Sequence, residues 1–137
     1  MLFRSINGGP LAKFVVDQSR SVTHWNRACE LMTGIAAWEM LGRDDKWRAF
    51  YSSPELLLAD RMASGATAEE LRLAYGDQIR PSKVVPDAWE GESFLPKLGG
   101  GKGRWIFFSA SPLVDVNGQC VGAVQTMQDV KIGRAHV

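Results

Sequence analysis

His24 and Cys29 are the one base and thiol close together in this chain, and a thiolate nucleophile needs such a base beside it. Their surroundings argue against the pairing. His24 falls on a strand-like stretch and Cys29 on the helix-like stretch that follows, with no orienting acid between them. A buried cysteine more commonly acts as a small apolar filler. Cys120 follows a turn at a strand start and reads as inert. Asp44-Asp45 offers paired acids for a metal, but ahead of Trp47 they read as a solvated turn at a helix end. The cluster Gly99-Gly100-Gly101-Lys102-Gly103 matches a phosphate loop in glycine content alone. No Ser or Thr follows Lys102 and no helix starts there, so a hairpin turn is expected. No catalytic residue and no metal ligand is assigned.

The composition removes several classes and names no function. Its 137 residues suit one domain, and 45% apolar with 23% charged residues is ordinary for a globular protein. Sixteen Lys and Arg against fifteen Asp and Glu give a net charge of +1, which argues against nucleic acid as a partner. No apolar run is long enough for a membrane span, and Met1-Leu2-Phe3-Arg4 lacks the apolar core of a signal peptide. The two cysteines lack metal-ligand spacing and a disulfide framework, so a reducing, cytoplasmic setting is expected.

The elements that position the side chains follow from patterning. Residues 12–17 are β-branched and aromatic, stop at Gln18-Ser19-Arg20-Ser21, and resume at Val22, which predicts a hairpin. Asn26 is a favoured N-cap for a helix over residues 27–33, closed by Gly34. A second short helix spans residues 36–41. A third starts at Pro54-Glu55, and a fourth is capped by Thr67 and closed by Gly76. Residues 77–87 hold Pro81 and Pro86 and read as loop. Strands are expected near residues 88–95, 104–113 and 119–130, the last two joined by the turn Asp115-Val116-Asn117-Gly118. Two strands, several helices, then three strands predict an α+β fold: a five-stranded antiparallel sheet with its helices on one face.

This order, with the words FVVD at Phe14–Asp17, VTHWNRACELMTG at Val22–Gly34, AAWEMLG at Ala36–Gly42 and RWIFFSASPLVDVNGQCVGAVQTMQDV at Arg104–Val130, resembles a PAS domain. It is similar to the modules of bacterial histidine kinases and diguanylate cyclases. The resemblance runs over residues 11–130, after an N-terminal segment of residues 1–10. It implies a glove-shaped sensory module of a phosphorelay, without catalysis of its own. Such a module binds a small ligand between helices and sheet or assembles chains as a homodimer, and biases a kinase- or cyclase-type output domain at its C-terminus. The family's Asp-hydrophobic-Thr triplet is matched at Asp129 and Val130, the expected signal junction, but Lys131 replaces Thr. Residues 132–137 resemble the translation of a short-read sequencing adapter. A non-native tail over residues 131–137 is therefore expected, with the output domain lost.

The resemblance also orders the side chains. No His lies between Pro54 and Gly76, which argues against the family's long-helix haem ligand. No NCRFLQ-like helix is present, which argues against cysteinyl–flavin photochemistry. No cofactor is assigned. Parity along the strands, carried over from ligand-binding relatives, places Ile106, Phe108 and Ala110 on the pocket side, with Val121, Ala123, Gln125 and Met127 on the last strand and Phe14 and Val16 on the first. Trp47, Phe50 and Tyr51 are expected in the roof over them. Gln125 stands apart, because an inward amide needs a partner. It is the foremost candidate for a ligand contact, with a bond to the helix layer or to a buried water as the alternative. On the opposite face Val15, Trp105 and Phe107 are expected to form a dimer interface, with Phe3 and Ile6 supplying part of the cover. A ligand-free interaction scaffold, and less strongly a small cleft enzyme, are the competing readings.

Overall fold

The computed structural model describes residues 2–6 and 11–134, with side chains described for residues 11–130. Strand β1 (Leu2–Ile6) is followed by β2 (Ala12–Asp17), which shows how the sheet acquires two unlike faces. Successive residues of a strand point to opposite sides. Accordingly Ala12, Phe14 and Val16 are fully buried, whereas Lys13 is exposed. The chain reverses at Asp17, whose carboxylate accepts from the backbone N–H groups of Ser19 at 2.8 Å and Ser21 at 3.0 Å. This side-chain bonding does the work of an Asn-Gly turn. β3 (Val22–Trp25) then returns antiparallel to β2.

Asn26 caps α1 (Arg27–Thr33) by accepting from the Cys29 N–H at 3.0 Å. The same oxygen accepts from the Lys13 N–H, and Nδ2 donates to the Leu11 carbonyl. One side chain thus satisfies an orphan helix donor and ties the helix to β2. Gly34, with φ of 75°, ends α1. A short α2 (Ala37–Met40), a 3-10 turn at Lys46–Ala49, α3 (Leu58–Ala63) and α4 (Ala68–Tyr75) follow. Thr67 and Glu70 form the reciprocal capping box that starts α4. α3 begins later than expected from Pro54-Glu55. Its cap is Leu57, whose N–H donates to the Asp60 carboxylate at 2.9 Å, and residues 54–57 lie outside the helix.

β4 (Ile79–Pro81), β5 (Trp89–Leu95), β6 (Arg104–Val114) and β7 (Cys120–Arg134) complete an antiparallel sheet of order β3-β2-β7-β6-β5-β4, with β1 also paired to β7. The α+β architecture is the expected one. Two strands exceed the expected five. β4 falls where Pro81 indicated loop, and three residues on a sheet edge are too short to show a pattern. β1 pairs with residues 130–134, of which all but Val130 lie beyond the expected end of the last strand. The side chains of Phe3 and Ile6 lie outside the described residues. A second correction concerns Val121. Leu113 pairs with Gly122 and Val114 with Cys120, so Val121 is the extra residue of a bulge and is 41% exposed instead of facing inward.

All four helices stand between β3 and β4 in the chain, and α3 lies directly on the sheet against β7, β6 and β2. The face beneath them holds the core.

Candidate functional site

Three central strands set the floor of the site by register. Ala12, Met127 and Phe108 form one cross-strand row; Phe14, Gln125 and Ala110 form the next. Residues directly opposite in an antiparallel pair share a face. Hence parity and pairing bring the inward candidates together, with Ile106 and Val16 completing the face.

The face is not uniform. Over β2 and β3 the side chains interlock: Phe14, Trp25 and Phe50 have ring centroids 5.7 to 6.5 Å apart. Phe14, Val16 and Ala110 are core residues and do not line the cavity over β6 and β5. Over β6 and β5 the packing is incomplete and leaves a cavity of about 30 Å³. Ile106, Phe108, Gln125 and Met127 line it from β6 and β7, and Ser93 and Leu95 from β5. Its roof is Phe50, Tyr51, Leu57, Leu58 and Tyr75. Trp47 is not there. It is half-buried at a separate surface hollow of about 330 Å³, beside Arg20, Asp44 and Glu55.

Gln125 joins cavity and helix. It is 5% exposed, and its Oε1 accepts from the Ala59 N–H in the first turn of α3 at 3.0 Å. That bond to the helix layer satisfies one of the donors a helix start leaves open. The phenol of Tyr51 is pushed up to about 12, mainly by burial and then by the nearby Glu55 carboxylate. Burial also raises Tyr75, against the pull of the Arg61 guanidinium, which lies 5.4 Å from the centre of its ring. Both phenols are therefore neutral at physiological pH.

One feature of this roof was not legible in the sequence. Lys46 and Asp60 form a buried ion pair at 2.6 Å, and Lys46 Nζ also donates to the Arg20 carbonyl at 2.8 Å and the Asp44 carbonyl at 3.2 Å. All three ammonium protons are thus satisfied, which a buried charge requires. The other Asp60 oxygen holds the Leu57 N–H. This network ties the β2–β3 turn and the 3-10 turn to the start of α3. A Lys and an Asp fourteen residues apart carry no local signal. Tyr75 and Ser93 were missed for a related reason, since each sits on an element whose facing only the packed structure defines.

His24 and Cys29 do not form a reactive pair. The His24 ring hydrogen-bonds its neighbour Thr23 on an exposed strand position, whereas Cys29 is fully buried with its thiol directed to the Lys13 carbonyl at 3.2 Å. Burial pushes this thiol up to about 12, so the thiolate is not populated. Asp45 is held by Arg43 and Arg48. Among the described residues no group of three or more His, Cys, Asp or Glu could hold a metal, and no helix is long and apolar enough to cross a membrane.

The opposite face carries Val15 and Phe107, both half-buried, and Trp105 at 37% exposed, with its ring edge-to-face on Phe94 at 5.7 Å. Asp129 is half-buried opposite Ile106, and Val130 is buried. Both lie on β7, the strand that carries Gln125.

The family model of the PAS fold matches residues 7–134, and the chain belongs to that family. Solved structures agree on the fold. The PAS domain of a Colwellia psychrerythraea protein is 21% identical with a TM-score of 0.54, covering 87% of this chain and 85% of that one. The PAS domain of Bordetella pertussis BvgS is 18% identical with a TM-score of 0.54, covering 90% and 77%. VqmA bound to DPO is 17% identical with a TM-score of 0.52, covering 89% of this chain and 52% of that one. No curated protein matches the sequence. PAS domains are typical sensory modules of signalling proteins and are generally not enzymes.

Proposed function

We propose that this domain is a cytoplasmic sensor that takes a small molecule in the cavity beneath α3 and passes the event along β7 to a kinase- or cyclase-type output domain. The observation that carries the reading is Gln125, which is buried between the first turn of α3 and the cavity. A ligand that favours one arrangement of this residue acts on the helix and on the strand together. Asp129 and Val130 follow four and five residues later on the same strand, roughly 13–17 Å away. A ligand shifts such an equilibrium only by its differential affinity for the two states. VqmA, a structure of the same fold, is bound to DPO. The ligand contacts of this reading are Tyr51, Ile106, Phe108, Gln125 and Met127. Phe14, Val16 and Ala110 support them from the packed core, and Trp47 lies outside.

The domain also pairs with a second copy through the sheet face of Val15, Trp105 and Phe107, because a partner would cover its exposed aromatic surface. Trp105→Glu is expected to shift a dimer to monomers in sedimentation; an unchanged state would remove this interface.

The small volume of the cavity, enough for one or two waters, favours a second reading, a ligand-free scaffold. Titration of the wild type separates the two, because a scaffold shows no saturable binding at the cavity. Since Gln125→Leu lowers stability under either reading, its binding curve then decides whether Gln125 is a contact. A ligand contact predicts weakened binding in Gln125→Leu with the fold retained, and a purely structural Gln125 predicts an unmoved binding curve.

A further inference from the structure

The orientation of one amide restricts what the cavity can hold. A side-chain amide accepts only through its oxygen, so the bond from the Ala59 N–H fixes Oε1 of Gln125 toward α3 and turns Nε2 away from it. Nε2 is a pure donor; the bond Gln125 makes is through Oε1, and the side chain lines the cavity, so a molecule held there can reach Nε2. An occupant that leaves this donor unpaired in an apolar enclosure is disfavoured. The remaining polar groups of the lining are the hydroxyls of Tyr51, Tyr75 and Ser93, which adapt to either role.

The lining carries no charge. Glu55 and Arg61 stand near Tyr51 and Tyr75, but neither lines the cavity, and their charges oppose each other. An ionised occupant would lose its water without gaining a counter-charge. The rest of the wall is aliphatic and aromatic.

We propose that the cavity accepts a small uncharged molecule with a mainly apolar body and a carbonyl or ring-nitrogen acceptor directed at Gln125 Nε2. This inference rests on the reading of the cavity as a ligand site. The open space suits a water or two, so a ring-sized body requires the half-buried Tyr51 and Tyr75 to move outward.

The test uses three probes of similar size on the whole chain: acetophenone, ethylbenzene and benzoate. Affinities are read by calorimetry and sites by amide and methyl NMR. Acetophenone is expected to bind about tenfold more tightly than ethylbenzene, the ratio one net hydrogen bond supplies, and benzoate is expected to bind most weakly. In Gln125→Met the ratio between the first two should fall to about one. Should that variant fail to fold, the Gln125 side-chain NH₂ resonances of the wild type provide the same test. They should shift with acetophenone and stay in place with ethylbenzene. Equal affinities at the cavity, or unmoved NH₂ signals, would overturn the acceptor and leave the ligand reading standing. Tightest binding of benzoate there would overturn the uncharged class. Failure of all three to bind would overturn the inference and the ligand reading together.

Discussion

The two halves of the inner sheet face are built from similar residues and do opposite things. Over β2 and β3, Phe14, Trp25 and Phe50 close on one another, and Cys29 and Val16 fill the remaining gaps. Over β6 and β5, Phe108 is only half-buried, Ser93 contributes a small side chain, and two tyrosines form part of the roof. The first half is filled and the second is left open. Apolar character alone does not mark a ligand site. Incomplete packing beside a few oriented polar groups is what the proposed site rests on.

The largest expected effects fall on the packed half and on the clamp that holds the roof. Phe14→Ala should cost ~3–5 kcal/mol in urea unfolding, whereas Phe108→Ala, at the edge of existing space, should cost less than ~3 kcal/mol. Equal losses would erase the contrast between the halves. Asp60→Ala should likewise cost ~3–5 kcal/mol, because it strands Lys46 in the interior and leaves the Leu57 N–H without its acceptor. A loss below ~1 kcal/mol would show that Lys46 finds water.

Gln125→Leu comes next. It removes the acceptor of the Ala59 N–H and should cost ~1–3 kcal/mol. Thermal melts will show whether the cost stays within that range.

The smallest effects concern pH. Cys29 and Tyr51, with usual values of 9.0 and 10.0, are both pushed up to about 12. Groups raised in the folded state contribute stability that is complete below their unfolded values and is lost as pH rises toward 12. Unfolding midpoints should therefore be level up to about pH 9 and fall above it. Cys29→Ala should flatten the first part of that fall. A bound ligand should delay the titration of Tyr51, on the open half, and leave Cys29, on the packed half, unaffected. A profile that stays level through pH 11 would contradict both burial arguments.

Much of this contrast was legible in the sequence, and the exceptions have physical reasons. β2, β3, β6 and β7 announced themselves by β-branched runs and period-two alternation, and the Asn26, Gly34 and Thr67 caps are local signals. Parity, with the pocket side taken from the family resemblance, puts Phe108, Gln125 and Met127 on one face, as the register has them. It failed at Val121, since a bulge is set by how two strands meet and not by either alone. It also could not separate Phe14 from Phe108, because which half of a face is filled depends on rings arriving from elsewhere. The resemblance puts Trp47 in the roof together with Phe50 and Tyr51. In the fold the 3-10 turn directs Phe50 inward and leaves Trp47 at the surface hollow. Nothing in the sequence around Lys46 signals burial, which its two carbonyl partners and one carboxylate make possible.

The central claim is that the open half is a ligand site and the packed half is not. Methyl NMR during an acetophenone titration tests it most directly. Met127, Ile106, Leu58 and Leu95 line the cavity, while Val16, Val22 and Met40 belong to the rest of the core. Saturable shifts confined to the first set are predicted. Shifts spread equally over both sets, or confined to the second, would contradict the claim.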